Sequence, residues 1–291
     1  MSDDIKAWVE DQHMRKRRVI LITSGGTRVS MELNAVRFLE NFSTGMRGAI
    51  SVERFIDAGY GVCFLHRESS LFPWSRVLPS GNVLLDKFEI NGDDVQLSDN
   101  IKQPMLQGLR SYKSAIQNNQ LFVINFTTLS EYIRLLRIAS QAISLIGTDA
   151  IIYLAAAVSD FYIPACDMQE HKIESTEKGI TISMKAVPKM MAHLVNEWAP
   201  KAFVVSFKLE TNEEILIDRA KNALSKYHHQ VVIANVMKTR RKKVIIVTRD
   251  KEIDLCITDE EEKDGMVLED KFIPVIIDMH YMFLTNNNNN N

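Results

Sequence analysis

Three stretches of the chain combine residue types suited to binding phosphate: Thr23-Ser24-Gly25-Gly26-Thr27, Ala155-Ala156-Ala157-Val158-Ser159-Asp160 and Ser206-Phe207-Lys208-Leu209-Glu210. Small residues let the backbone approach a ligand closely, and the neighbouring hydroxyls and amides can hold phosphate oxygens. In a fourth stretch, Asn41-Phe42-Ser43-Thr44-Gly45-Met46-Arg47-Gly48, Ser43, Gly45 and Gly48 stand where a helix would begin. A helix start offers free N–H groups and the positive end of a dipole to an anion. A loop from Asp160-Phe161-Tyr162-Ile163-Pro164 to His171-Lys172-Ile173-Glu174 carries one lysine able to close over a polyphosphate. Most surface lysines are merely solvated, which is the plainer reading of Lys172. The common nucleotide fingerprints are absent: no GxGxxG follows the first apolar run, and no GxxxxGK[ST] occurs.

Alternating strands and helices must position these stretches. Val19-Ile20-Leu21-Ile22-Thr23 is β-branched, apolar and closed by glycine, as expected of a strand buried on both faces. A helical pattern over 49–58 stops at Gly59, and a strand follows over 61–65. Further strands are expected over 121–124, 150–155, 203–207 and 231–234, with helices around 105–116, 131–145 and 214–227 and another after Pro188. This alternation predicts an α/β fold: a Rossmann-like, mostly parallel sheet with helices on both faces. In such sheets ligands bind beyond the carboxyl ends of the strands. Residues 180–184 alternate as a half-exposed antiparallel strand would, and 243–248 with 251–257 read as a hairpin around Arg249-Asp250. Residues 1–285 are expected to form one domain, with 1–17 as an extension docking through Trp8 and Val9. Residues 286–291, all asparagine, are expected to be a disordered tail.

Composition narrows the classes. The 291 residues are 46% apolar and 25% charged, and 35 Lys+Arg against 37 Asp+Glu leave a net charge of −2. A chain recognising nucleic acid through its phosphates would be basic. Arg15-Lys16-Arg17-Arg18 and Thr239-Arg240-Arg241-Lys242-Lys243 therefore read as exposed charge runs, the second with some chance of reaching a triphosphate. No apolar run approaches a membrane span, and the acidic N-terminus lacks a signal core, so a cytoplasmic protein is expected. Cys63, Cys166 and Cys256 are odd in number and far apart, which suits buried thiols in a reducing compartment. His228-His229 closes a helix, where a cation suits the dipole, and no residues stand at metal-ligand spacing, so no protein-bound metal is expected.

From 17 to 250 the sequence closely resembles phosphopantothenate–cysteine ligases of the single-function eukaryotic type. The resemblance rests on Thr23-Ser24-Gly25-Gly26-Thr27, on 36–48, on 155–162 and on His171-Lys172-Ile173. Val187-Pro188-Lys189-Met190, 198–203, Ser206-Phe207-Lys208-Leu209-Glu210-Thr211 and 231–235 extend it. It implies a step of coenzyme A biosynthesis. Nucleotide and Mg²⁺ convert the 4′-phosphopantothenate carboxylate to an acyl-nucleotide with release of pyrophosphate. Attack by the L-cysteine amine then gives the amide and the nucleoside monophosphate. The eukaryotic type implies ATP, CTP being the bacterial choice, and the chain leaves no room for the decarboxylase fused to bacterial relatives.

The resemblance also implies roles for particular residues. Gly25, Ser43, Gly45 and Gly48 would hold the nucleotide, with Phe207 and Asn235 around its base and ribose. Asn41 would hold the pantothenate arm and the acyl-nucleotide, its amide donating and accepting at once. Ala156, Ala157 and Asp160 would face phosphopantothenate, and Lys172 would act from a lid. Arg37 would reach the substrate phosphate of a neighbouring subunit, implying a homodimer. Here the lid departs from the lysine-rich bacterial pattern, with Glu174 and Ser175 after Ile173, and Lys208 replaces a small residue. Lys208 thereby becomes a second candidate to neutralise the triphosphate. Cys166 lies near the lid, but amide formation needs no protein nucleophile. Two other classes stand beside this reading: a Rossmann-like NAD(P)-dependent oxidoreductase, and a catalytically inactive regulatory homologue.

Overall fold

A computed structural model describes residues 1–79, 81–174 and 179–288. In chain order the elements are α1 (Ser2–Met14), β1 (Val19–Ser24), β2 (Arg28–Ser30), β3 (Phe38–Glu40), α2 (Met46–Asp57), β4 (Gly61–Arg67), β5 (Phe88–Asn91), β6 (Asp94–Leu97), α3 (Asp99–Gln117), β7 (Leu121–Phe126), α4 (Leu129–Ile143) and β8 (Ala150–Leu154). They continue with β9 (Phe161–Tyr162), β10 (Lys185–Ala186), α5 (Met190–His193), β11 (Phe203–Glu210), α6 (Leu216–Tyr227), β12 (Val231–Val236), β13 (Lys243–Val247), β14 (Glu252–Cys256), α7 (Asp259–Lys263) and α8 (Leu268–Asn288). Eight strands form one sheet in the order β14-β13-β12-β11-β8-β1-β4-β7. The six from β12 to β7 are parallel, and β13 and β14 add antiparallel at one edge.

Strand side chains alternate between two cores, because successive residues point to opposite faces. Ile20 and Ile22 pack with Val52 and Phe55 of α2 and with Phe272 and Ile276 of α8. Val19 and Leu21 pack on the other face with Ile5 and Trp8 of α1 and with Leu135 and Ala139 of α4. The first residues are therefore part of the body: Trp8 and Val9 dock as expected, Ile5 joins them, and the Trp8 indole donates to the Asn119 carbonyl at 2.9 Å. From β1 the chain winds outward to β4 and β7, then returns to place β8 on β1's other side. The strand order thus reverses between β1 and β8, where open α/β sheets leave a crevice.

Several expectations are corrected. Residues 180–184 form no strand; Lys185–Ala186 instead pair antiparallel with Phe161–Tyr162, a contact between distant segments that local alternation does not reveal. The 243–257 hairpin forms as expected, β13 pairing antiparallel with β14, and it is joined to the main sheet, since β13 also pairs with β12. Helix α8 continues through Asn288, and 289–291 lie outside the described residues, as does Ser175. Only Cys63 of the three free thiols is buried, its pKa pushed up to about 12 by burial, while Cys166 and Cys256 are exposed. Among the described residues no helix is long and apolar enough to cross a membrane.

Histidine burial makes the fold acid-sensitive. His280 of α8 is fully buried: its Nε2 donates to the Thr148 carbonyl and its Nδ1 accepts from the Tyr60 hydroxyl, both at 2.9 Å. His229, expected to be a helix-end cation, is instead buried against the Ser206 hydroxyl at 2.8 Å. Burial lowers both pKa values to about 4, so both are neutral near pH 7. In the unfolded chain each protonates near the ordinary value of about 6.5, so between pH 6.5 and 4 the unfolded state binds more protons. Stability therefore falls as pH drops through that window, by at most about 3 kcal/mol per histidine. Glu53 and Glu269, whose carboxyls burial raises, act in the opposite sense and reduce the net effect. Urea unfolding of His280→Gln should give a shallower slope of stability against pH between 6.5 and 4 than the parent protein. Parallel slopes would show that His280 does not titrate in this way.

Candidate active site

The site is assembled at the exits of β1 and β8. Beyond Ser24 the chain turns through Gly25, whose φ of 89° suits glycine. Ala157 N donates to Gly25 O at 2.8 Å, and Thr27 N donates to Ala157 O at 3.1 Å. Two threonine hydroxyls complete the join, Thr23 accepting from Ala156 N at 3.1 Å and Thr27 from Ser159 N at 3.0 Å. These bonds explain the threonines in the first motif: they fix the Ala-Ala-Ala loop against the glycine turn. Asn41 is held by its backbone, donating to Thr27 O at 3.1 Å, and its carbonyl lies against Gly26 so closely that a Cβ there would overlap it. Among the described residues its side-chain amide has no protein partner.

Helix α2 starts after Gly45, with φ 77°, no side-chain cap and no acidic residue in its first turn, so the dipole end faces the crevice. Ser24 Oγ donates to Gly45 O at 3.0 Å, and a Cβ on Gly48 would overlap Ser24. The expected phosphate residues therefore divide. Ser43 and Gly45 line the cleft, whereas Gly25 and Gly48 lie behind it and let β1, α2 and the end of β4 close together. Behind Gly25, the buried Arg67 donates to Gly26 O at 2.9 Å and to Glu40 at 2.7 Å, bracing the turn after β1 against the end of β3 that leads to Asn41.

The cleft, about 800 Å³, brings Asn41, Ala156, Ala157 and Asp160 together with Phe207, Lys208 and Asn235. Phe207 packs edge-on against the buried Tyr153 at 5.0 Å. Lys208 is paired with Glu210 at 3.2 Å. Arg47 and Glu269, which carried no assigned role on the sequence, also line the cleft, as do Arg240 and Arg241 of the basic run at 239–243. Arg47 pairs with Glu269 of α8 at 3.2 Å, donates to Arg240 O at 2.6 Å and stands 5.6 Å from the Phe207 ring centroid. Burial raises the Glu269 carboxyl, with Arg47 partly offsetting it. The basic run at 239–243 thus borders the cleft, and Arg47 could have been singled out as the cation one residue into a helix that starts at glycine.

Arg37 and Lys172 do not line this cleft. The Arg37 guanidinium pairs with Glu32 at 3.0 Å and donates to Ile173 O at 2.5 Å. Glu32 is fully buried; burial would raise its carboxyl, but the N–H groups of Arg37, Val36 and Ile173 outweigh that and hold it low. Together with Leu33 N to Gln169 O at 2.9 Å, these bonds fasten the 169–173 segment to the β2–β3 loop. Lys172 is exposed on that segment.

Residues 134–271 match the family model described as DNA/pantothenate metabolism flavoprotein C-terminal domain. The chain is 47% identical to the phosphopantothenate–cysteine ligase of Mus musculus over 282 residues, covering 94% of this chain and 89% of that protein. It is 44% identical to the Homo sapiens enzyme over the same shares. A solved Cab2 mutant in complex with phosphopantothenate-cysteine superposes with a TM-score of 0.91 at 35% identity, over 99% of this chain and 94% of that one. With its β1 and β8 exits forming the crevice described above, the chain belongs to the phosphopantothenate–cysteine ligase family.

Proposed function

We propose that this chain, acting as a single α/β unit, joins 4′-phosphopantothenate to L-cysteine in coenzyme A biosynthesis, with ATP as the activating nucleotide. The observation that carries the reading is one cleft that gathers Ser43, Gly45, Phe207 and Asn235 beside Asn41, Ala156, Ala157 and Asp160. The two groups match the two substrates. The uncapped start of α2 with Ser43, Gly45 and Arg47 suits a polyphosphate, Phe207 and Asn235 suit a base and ribose, and the Ala-Ala-Asp wall suits a slender acyl arm. Gly25 and Gly48 support the nucleotide site from behind, and Asn41 orients the carboxylate as it attacks the α-phosphate. Nucleotidylation turns a poor electrophile into a good one. Among the described residues no three His, Cys, Asp or Glu side chains stand close enough to hold a metal. We assign Mg²⁺ to the nucleotide phosphates, where it would neutralise charge. Lys208 is the nearer lysine for that task, and Lys172 would contribute when the lid closes. The NAD(P) oxidoreductase and inactive-homologue readings are not favoured by the family and its relatives.

Exchange of labelled pyrophosphate into nucleotide, without cysteine, tests the first half-reaction. It should require phosphopantothenate and run faster with ATP than with CTP. Exchange independent of phosphopantothenate would exclude an acyl-nucleotide, and faster exchange with CTP would reverse the nucleotide assignment.

A homodimer completes the site in this reading. The loop joining β2 to β3 exposes Leu33 and Val36, and Phe38, Leu39 and Phe42 follow, Phe42 at 77% exposure. An apolar cluster of this kind suits a protein interface, and Arg37 stands within it. Val36→Glu with Phe38→Glu should give monomers in light scattering and cut turnover at least tenfold. Full activity in a proven monomer would remove the shared site. The free thiols, two of them exposed, suit the reducing cytoplasm.

A further inference from the structure

Beside the main cleft lies a smaller cavity, about 220 Å³, that shares Ala156, Val158, Asp160 and Phe207 with it. Ala156, Asp160 and Phe207 carry roles assigned above, but Leu136, Leu154, Lys189 and Met191, which complete it, do not. Its floor is apolar, formed by Leu136 of α4, Leu154 at the end of β8 and Met191 of α5. Ser206 also lines it, with its hydroxyl already engaged by His229 at 2.8 Å. Its lining also holds an ion pair, Lys189 Nζ to Asp160 Oδ1 at 2.8 Å. Lys189 belongs to the Val187-Pro188-Lys189-Met190 motif, and Val187 N donates to Asp160 O at 2.8 Å, so the motif is fixed to the Ala-Ala-Asp loop by its backbone.

We propose that this cavity is the subsite for the amino-acid substrate, L-cysteine: Lys189 binds its α-carboxylate, Asp160 its ammonium, and the apolar floor its CH₂SH group. The assignment rests on the ligase reading above. Both partners of the pair are exposed, at 59% and 70% of the side chain, so the bond between them contributes little and opens readily. A zwitterion inserted between them exchanges one ion pair for two. The floor favours a polarisable thiol over a hydroxyl, because the three hydroxyls that line the cavity are already engaged, Ser206 with His229, Ser159 with the Phe161 carbonyl and Tyr132 with Thr23, and the floor itself is hydrocarbon and thioether. Because Asp160 borders both spaces, the amino group faces the acyl carbon held in the main cleft. There one proton leaves the ammonium, with Asp160 as the acceptor at hand, and the nitrogen attacks the acyl carbon. The C–O bond to the nucleotidyl phosphate breaks, the nucleoside monophosphate departs with that oxygen and its electron pair, and a second proton passes from the nitrogen to solvent as the amide forms.

Cysteamine, which has the amine and thiol but no carboxylate, makes the test specific to Lys189. In the parent protein kcat/KM should favour L-cysteine over cysteamine by about tenfold or more, the scale of one charge-assisted hydrogen bond. Lys189→Ala should lose that preference and raise KM for L-cysteine about tenfold, and Lys189→Arg should recover most of it. Phosphopantothenate-dependent pyrophosphate exchange should stay within twofold in both variants, which also shows that they are folded. As a second probe, Met191→Trp fills the floor and should raise KM for both thiols while leaving exchange intact. An unchanged preference in Lys189→Ala, or a KM rise confined to phosphopantothenate or nucleotide, would overturn the subsite. Absence of exchange in the parent protein would instead overturn the ligase reading itself.

Discussion

Gly26→Ala should lower kcat/KM for ligation by about a hundredfold while leaving a folded protein. The added Cβ overlaps the Asn41 carbonyl oxygen, and that oxygen belongs to backbone, so the clash cannot be relieved by rotating a side chain. Asn41 N is bonded to Thr27 O, and Arg67 braces both Gly26 and Glu40, so the strain passes into the segment that presents the Asn41 amide. A displacement of about 1 Å in a positioning group commonly costs about a hundredfold, whereas overpacking of one methyl costs about 1–3 kcal/mol of stability. Gly92→Ala is the matched control. Its φ of 63° makes alanine unfavourable by about 1 kcal/mol, but nothing lies within 4 Å of the new atom and the hairpin turn is remote from the cleft. Thermal melts and steady-state kinetics on both variants separate the effects. Equal activity losses in the two would mean that Gly26 acts through stability alone.

The second large effect is on stability. Arg47→Ala removes the cation beside Glu269, whose carboxylate is almost fully buried. Breaking a buried ion pair by deleting one partner costs about 3–5 kcal/mol, because the other is left without compensation. The arginine also ties α2 to the Arg240 carbonyl and lies against Phe207 and Phe272. The cleft wall made by α8 and the 237–241 turn should loosen, and nucleotide affinity should fall with it. Arg47→Ala combined with Glu269→Gln should regain a good part of the stability, since the amide needs no counter-charge, but should not regain nucleotide binding. Denaturant midpoints of the single and double variants test this. If adding Glu269→Gln deepens the loss, the pair is not the source of the destabilisation.

What could be read in the sequence follows from the range of the forces involved. Strands such as Val19–Ser24 and Val231–Val236 were legible because burial on both faces leaves a continuous apolar run. The site loops were legible because small residues and hydroxyls cluster only where backbone must approach something closely. Helix α8 was not read: Pro274 lies inside it and asparagines end it, so local signals argue against a helix that packing against Val52 and Phe55 holds in place. The β5–β6 hairpin was also missed, although Asn91-Gly92 is a strong turn signal. Glu269 could not be assigned to the cleft from sequence, because only tertiary folding brings it to Arg47. Gly25 and Gly48 show the converse case. Their type was informative, but glycine is equally required to touch a ligand and to let two elements touch each other.

The central claim is that this one cleft activates a carboxylate and hands it to an amine. Purified protein should be incubated with phosphopantothenate, L-cysteine, Mg²⁺ and ATP, and the products followed by mass spectrometry and phosphorus NMR. The account predicts 4′-phosphopantothenoylcysteine, AMP and pyrophosphate in equal amounts, with no ADP. Formation of ADP and inorganic phosphate would contradict activation through an acyl-nucleotide, and no amide from a folded protein with either ATP or CTP would contradict the ligase assignment.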